Sequence, residues 1–220
     1  MPDGTTHPAP APPSGSPRTV PTRHGPAAVH LLPTAGPSAG SVLLGHGAGG
    51  GIGAPDLVAV ASAVVRAGWD VGLVEQPYRV AGRRAGPRAQ VLDEAWLDVV
   101  DGLRDDVLAD LPLVVGGRSA GARVACRTAT AAGAVGVLCL AFPTRPPGRP
   151  DRPSRLPELD GAGVPVLVVQ GATDPYGVPP EAPGRDVVVV AGDHALRKDT
   201  SAVVEAVLRW LPHLAAPTRS

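Results

Sequence analysis

The sequence predicts an α/β fold: a mostly parallel central sheet with helices on both faces and no large cap domain. Three observations carry this. Short runs rich in Val and Leu alternate with amphipathic helical segments from Val29 to Leu211. The runs are continuously apolar, as strands covered on both faces require. The chemically distinctive residues fall in loops that follow strands, where open sheets of this class bind their ligands.

The elements follow in order. Val29 to Leu32 and Ser41 to Leu44 read as early strands, the second ending in His46-Gly47-Ala48-Gly49-Gly50-Gly51. Pro55 marks the first turn of a helix whose stripe is Leu57, Val58, Ala61, Val64 and Val65, with Gly68 as its stop. Asp70 to Val74 is a strand. A long helix is expected from Gln90 to Ala109, with Trp96, Val99, Val100 and Leu103 on one face. Leu113 to Gly116 is a strand, Ser119 to Ala132 a helix of small residues, and Val135 to Leu140 another strand. Phe142 to Gly163 is mostly Pro, Arg and Gly and reads as a loop too short for a multi-helix cap. Val166 to Gln170 and Asp186 to Val190 complete the strands, and a last helix runs from Thr200 to Leu211, ended by Pro212. Met1 to Arg18 reads as a Pro-rich disordered tail, residues 19–214 as one domain and 215–220 as a short tail.

Composition narrows the function. A chain of 220 residues suits one domain with a sizeable core. The formal net charge of +0 gives no global attraction to nucleic acid or an anionic membrane. No apolar run approaches the length of about 18 residues that spans a bilayer. The start of the chain lacks a signal-peptide pattern. The two cysteines, Cys126 and Cys139, fit no metal-ligand spacing and read as buried thiols, which favours a reducing, cytoplasmic location. The chain has no Asn, one Ile (Ile52) and one Lys (Lys198), the composition of a GC-rich, bacterial coding sequence. Its Arg and Pro counts therefore carry reduced functional weight.

Val115-Gly116-Gly117-Arg118-Ser119-Ala120-Gly121 contains Gly-x-Ser-x-Gly between a strand and a helix, the setting of a nucleophile elbow. The same residues also suit a plain helix N-cap serine after a glycine turn. The partners favour the first reading. A serine nucleophile needs a base, and the base an orienting carboxylate. Gly171-Ala172-Thr173-Asp174-Pro175 and Gly192-Asp193-His194 follow the last two strands and supply them in the order Ser, Asp, His. The expected triad is Ser119, Asp174 and His194. Asp193 is the weaker acid candidate because adjacent residues rarely aim at each other. Asp160 and Asp186 precede their strands, at the opposite sheet edge. His7, His24 and His213 lie near the ends of the chain, and His30 sits in an early strand.

An acyl-transfer site also needs oxyanion donors. The backbone N–H of Ala120 is one, and the N–H of Ala48 in the early glycine loop is the second. His46 is expected to shape that loop. A dinucleotide-binding reading of the same glycines lacks support: Glu75 alone ends the next strand with an acid, and no Gly-Lys-Ser/Thr is present. Arg145, Arg149, Arg152 and Arg155 read as a solvated loop, with attraction of an anionic substrate as the alternative.

Leu44-Gly45-His46-Gly47-Ala48-Gly49, Gly116-Gly117-Arg118-Ser119-Ala120-Gly121-Ala122-Arg123, Pro143 to Pro147, Gln170-Gly171-Ala172-Thr173-Asp174-Pro175 and Gly192-Asp193-His194 together resemble a subgroup of α/β-hydrolases. It comprises small bacterial proteins distantly similar to dienelactone hydrolase. It is also similar to a eukaryotic branch that includes a subunit of a histone-acetyltransferase complex. The resemblance runs from Val29 to Leu211 and implies the same triad; Ala120 departs from it, since many relatives carry Met there. The motifs are specific for the fold and not for a substrate.

The resulting expectation is a serine hydrolase acting on a small-molecule carboxylic ester or thioester through an acyl-serine, with no metal or organic cofactor. A non-catalytic binding or scaffold protein on the same fold is the alternative, as is acyl transfer to an acceptor other than water. The sequence leaves the oligomeric state unread.

Overall fold

The computed structural model describes residues 16–108 and 110–215. Eight strands form one sheet: β1 (Arg18–Val20), β2 (Ala27–Leu32), β3 (Ser41–Gly45), β4 (Asp70–Glu75), β5 (Leu113–Arg118), β6 (Gly136–Leu140), β7 (Val166–Gly171) and β8 (Arg185–Val190). Their order is β1-β2-β4-β3-β5-β6-β7-β8. From β4 across to β8 every neighbouring pair is parallel, while β2 runs antiparallel to β4 and β1 antiparallel to β2.

The helices are α1 (Pro55–Arg66), α2 (Pro77–Val80), α3 (Ala89–Leu103), α4 (Ala120–Thr128), α5 (Leu156–Asp160) and α6 (Thr200–Trp210), followed by a 3₁₀ turn at Leu211–Leu214. They cover both faces, and strand alternation decides which side chains meet which helices. On one face Leu43, Val115, Val137 and Val168 pack with Trp96, Val99 and Leu103 of α3 and Val124 of α4. On the other, Leu44, Val114, Leu138 and Leu167 pack with Leu57 and Val64 of α1 and Val203 and Val207 of α6. Burying each such side chain contributes about 1.5–3 kcal/mol. That both faces are apolar explains why the strands read as unbroken Val and Leu runs.

The differences from the sequence reading lie at short or frayed elements. β1 begins at Arg18, the last residue of the expected tail, and Arg18 Nη1 pairs with Asp106 at 2.6 Å. The rest of that tail, residues 1–15, and residues 216–220 lie outside the described residues. Three strand residues and a four-residue helix (α2) carry too little periodicity to be seen in advance. α3 ends at Leu103 instead of continuing to Ala109, and α4 ends at Thr128 instead of Ala132. The Pro-rich segment contains α5, a helix of 5 residues. No cap domain stands over the sheet among the described residues. None of their helices is long and apolar enough to cross a membrane.

Candidate active site

Ser119 joins β5 to α4 with φ 53° and ψ −105°. Such backbone costs a residue with a side chain about 1–3 kcal/mol and survives only where the surroundings hold it. Here the Ser119 N–H donates to Leu140 O at 2.9 Å, and its carbonyl accepts from the Arg123 N–H at 3.2 Å. The end of β3 lies directly beneath the turn. A Cβ on Gly117, whose φ is +155°, or on Gly121 would collide with the Gly45 carbonyl oxygen. The two glycines of the motif are required by that approach.

His194 follows β8 and reaches Ser119 from a position 75 residues away in the chain. Its Nε2 lies 2.9 Å from Ser119 Oγ, and its Nδ1 lies 2.8 Å from Asp174 Oδ2. A carboxylate only accepts, so Nδ1–H donates to Asp174 and Nε2 is left to accept from the serine O–H. The Asp174 side chain is wholly buried and His194 is 19 % exposed. The Tyr176 ring lies over the imidazole, with centroids 4.3 Å apart.

The loops after β7 and β8 are locked together, which is what lets Asp174 meet His194. Thr173 donates both its backbone N–H and its hydroxyl to Gly192 O, each at 2.9 Å. Gly171 carries no side chain where a Cβ would collide with the carbonyl oxygens of Gly192 and Asp193. Asp174 itself accepts the Tyr176 N–H at Oδ1 (2.8 Å) and the Gln170 side chain at Oδ2 (2.7 Å).

The structure thus brings Ser119, His194 and Asp174 into one hydrogen-bonded chain. Asp193 instead turns its own loop, accepting from the Ala195 N–H at 2.9 Å. Asp160 pairs with Arg185 at 2.8 Å, and Asp186 is exposed on β8. His24 pairs with Glu94, His30 lies 3.8 Å from Glu75, and His213 is exposed in the terminal 3₁₀ turn. His7 lies outside the described residues.

Ala120 opens α4. Ala48 is exposed on the loop after β3, and its carbonyl accepts from the Tyr78 hydroxyl at 3.1 Å. His46 is buried in that loop. Its Nδ1–H donates to Gly47 O at 2.8 Å and its Nε2 accepts the Gln76 N–H at 3.2 Å. That pairing demands a neutral ring, and burial lowers its pKa from 6.5.

Of the four loop arginines, Arg149 lies 3.4 Å from Asp151, while Arg155 turns inward and donates to Pro143 O at 3.4 Å. Arg145 and Arg152 are exposed. Cys126 and Cys139 are both free and buried, with sulfurs 3.4 Å apart, and burial pushes the Cys139 thiol up. Among the described residues no three His, Cys, Asp or Glu side chains gather as a metal site requires.

Among the contacts at the site not singled out from sequence are Gln170 to Asp174 and Tyr176 to His194. Gln170 is wholly buried at the end of an otherwise apolar strand, and that misplaced polarity was the available signal. Nothing in the sequence marks Tyr176.

Residues 38–203 match the model of a family described as alpha/beta hydrolase domain. No curated protein matches the chain. Among solved structures, a lidless α/β serine hydrolase from Xanthomonas campestris is 22 % identical, with a TM-score of 0.69 over 94 % of this chain and 100 % of its own. A dienelactone hydrolase from Anabaena variabilis is 18 % identical, with a TM-score of 0.72 over 91 % of this chain and 97 % of its own. Est1E from Butyrivibrio proteoclasticus, with ferulic acid bound, is 15 % identical, with a TM-score of 0.70 over 90 % of this chain and 98 % of its own.

Proposed function

This chain belongs to the alpha/beta hydrolase family, and from that premise we propose that it hydrolyses a small carboxylic ester or thioester through an acyl intermediate on Ser119. The observation that carries the reading is the unbroken chain of contacts: Ser119 Oγ to His194 Nε2 at 2.9 Å, and His194 Nδ1 to Asp174 Oδ2 at 2.8 Å.

The chemistry follows from those atoms. His194 Nε2 takes the serine proton as Oγ attacks the carbonyl carbon. The imidazolium then formed is stabilised by the buried carboxylate of Asp174, which also holds the ring in the useful tautomer. The oxyanion is met by the Ala120 N–H at the start of α4, where the helix dipole adds to the donor. The Ala48 N–H is the proposed second donor. His194 returns its proton to the leaving alcohol or thiol. A water then repeats the sequence on the acyl-serine, with His194 again as base.

The strained backbone of Ser119 favours this reading over a non-catalytic scaffold, which has no use for a serine held at φ 53° and aligned on a histidine. A fluorophosphonate probe tests it without knowledge of the substrate. The wild type should label, and Ser119→Ala should not. A folded wild type that stays unlabelled at millimolar probe would overturn the proposal.

A further inference from the structure

Arg118 grips two distant parts of the chain. Its Nε–H donates to Oδ2 of Asp56 at 2.9 Å, and its Nη2–H donates to the main-chain oxygen of His194 at 2.7 Å. Asp56 stands in the first turn of α1 with its side chain wholly buried, and Arg118 keeps 18 % exposure. Both contacts are charge-assisted, and the second lies at the short end of the range usual for such bonds.

The loop that carries His194 is anchored on either side. Gly192 is held by Thr173, and Leu196 is buried, with φ 51° and its N–H donating to Asp193 O at 3.2 Å. Between these anchors, among the described residues, Arg118 is the one side chain that bonds the main chain of His194. Arg118 is also the neighbour of Ser119 in sequence. A short circuit therefore closes: Arg118 holds the backbone of His194, the His194 ring faces Ser119 Oγ, and Ser119 is bonded to Arg118.

We infer that Arg118 is a positioning residue, a strut from the serine turn that sets the distance between His194 Nε2 and Ser119 Oγ. The inference rests on the proposed roles of Ser119 and His194. A loop slide of about 1 Å is enough to cost on the order of 10²-fold in rate. Lysine cannot replace the strut, because one ammonium does not span a carboxylate and a carbonyl in the fixed fork of a guanidinium. Asp56 serves as the abutment. Burial pushes its carboxyl up, and the charge of Arg118 pulls the other way.

Removing Arg118 alone leaves a buried carboxylate without its counter-charge and endangers the fold. The test therefore compares Arg118→Met with the double variant Arg118→Met/Asp56→Asn, which removes both charges. Three quantities are measured on the full chain: melting temperature, the second-order rate of labelling by a small fluorophosphonate, and the low-field proton resonance of His194 Nδ1–H. The double variant should melt within a few degrees of the wild type, yet label at least tenfold more slowly, with its Nδ1–H resonance shifted or broadened. If labelling recovers together with melting temperature, Arg118 serves only the fold and the inference is overturned. The resonance is independent of the nucleophile. An unlabelled wild type overturns the reading of Ser119, whereas an unmoved His194 resonance in the folded double variant overturns the strut.

Discussion

Gln170 donates its side-chain Nε2–H to Oδ2 of Asp174 at 2.7 Å, the same oxygen that accepts from His194. The same nitrogen lies 3.1 Å from Phe142 O and 2.9 Å from Gly177 O. Three acceptors around one amide nitrogen fix which way the amide faces. Replacing Gln170 with Leu should remove the two N–H donors that Asp174 and the carbonyls of Phe142 and Gly177 share, at about 1–3 kcal/mol for each buried acceptor left unpaired. Both kcat and melting temperature should fall, with KM little changed. Gln170→Glu should do more harm to kcat than Leu does, because it sets a second carboxyl against Asp174. Wild-type kcat in either variant would contradict this.

His194→Ala should lower turnover of a short activated ester by several orders of magnitude while the fold persists. Asp174→Asn should cost about 10⁴-fold in kcat, since an amide presents the wrong partner to Nδ1–H and favours the other tautomer. Steady-state kinetics beside circular dichroism check both, and unchanged turnover in Asp174→Asn would remove Asp174 from the proposed triad.

Gly171→Ala should separate the two loops that carry Asp174 and His194, because the added Cβ meets the carbonyl oxygens of Gly192 and Asp193. Neither oxygen belongs to a flexible side chain, so the backbone itself must move. The expected result is a loss of kcat of at least tenfold, by the sensitivity of such sites to displacements of about 1 Å. A crystal structure of the variant should show a longer His194 Nδ1 to Asp174 distance.

His46 should stay neutral at pH values where exposed histidines titrate, because burial holds its pKa below 6.5. The sign for stability follows. Below pH 6.5 the unfolded chain takes up a proton that the folded ring refuses, so this contribution is complete above 6.5 and is lost as pH falls toward the folded value. Ring proton shifts followed by NMR, with melting temperature against pH, check it. A His46 ring that charges at or above its ordinary pKa would show that the Gln76 N–H does not donate to Nε2.

The sequence alone carried the fold class, because both faces of the sheet are covered and continuous Val and Leu runs leave a local trace. It also carried the order Ser119, Asp174, His194, because each follows a strand and parallel strands bring their carboxyl ends to one edge. It could not carry distances. Whether Asp174 or Asp193 faces His194 depends on how the loops after β7 and β8 lock at Gly171 and Gly192, a contact between segments about twenty residues apart. Arg118 read only as a motif position. Its grip on His194 and Asp56 joins three segments, and no periodicity or spacing records which side chains a folded sheet will bring face to face. β1 and α2 escaped for a related reason: elements of 3 and 4 residues are stabilised by pairing and packing, with too little pattern of their own. The sequence determined what is local or periodic; tertiary structure alone decided which oxygen each polar hydrogen meets, because those bonds are chosen by packing between residues far apart in the chain.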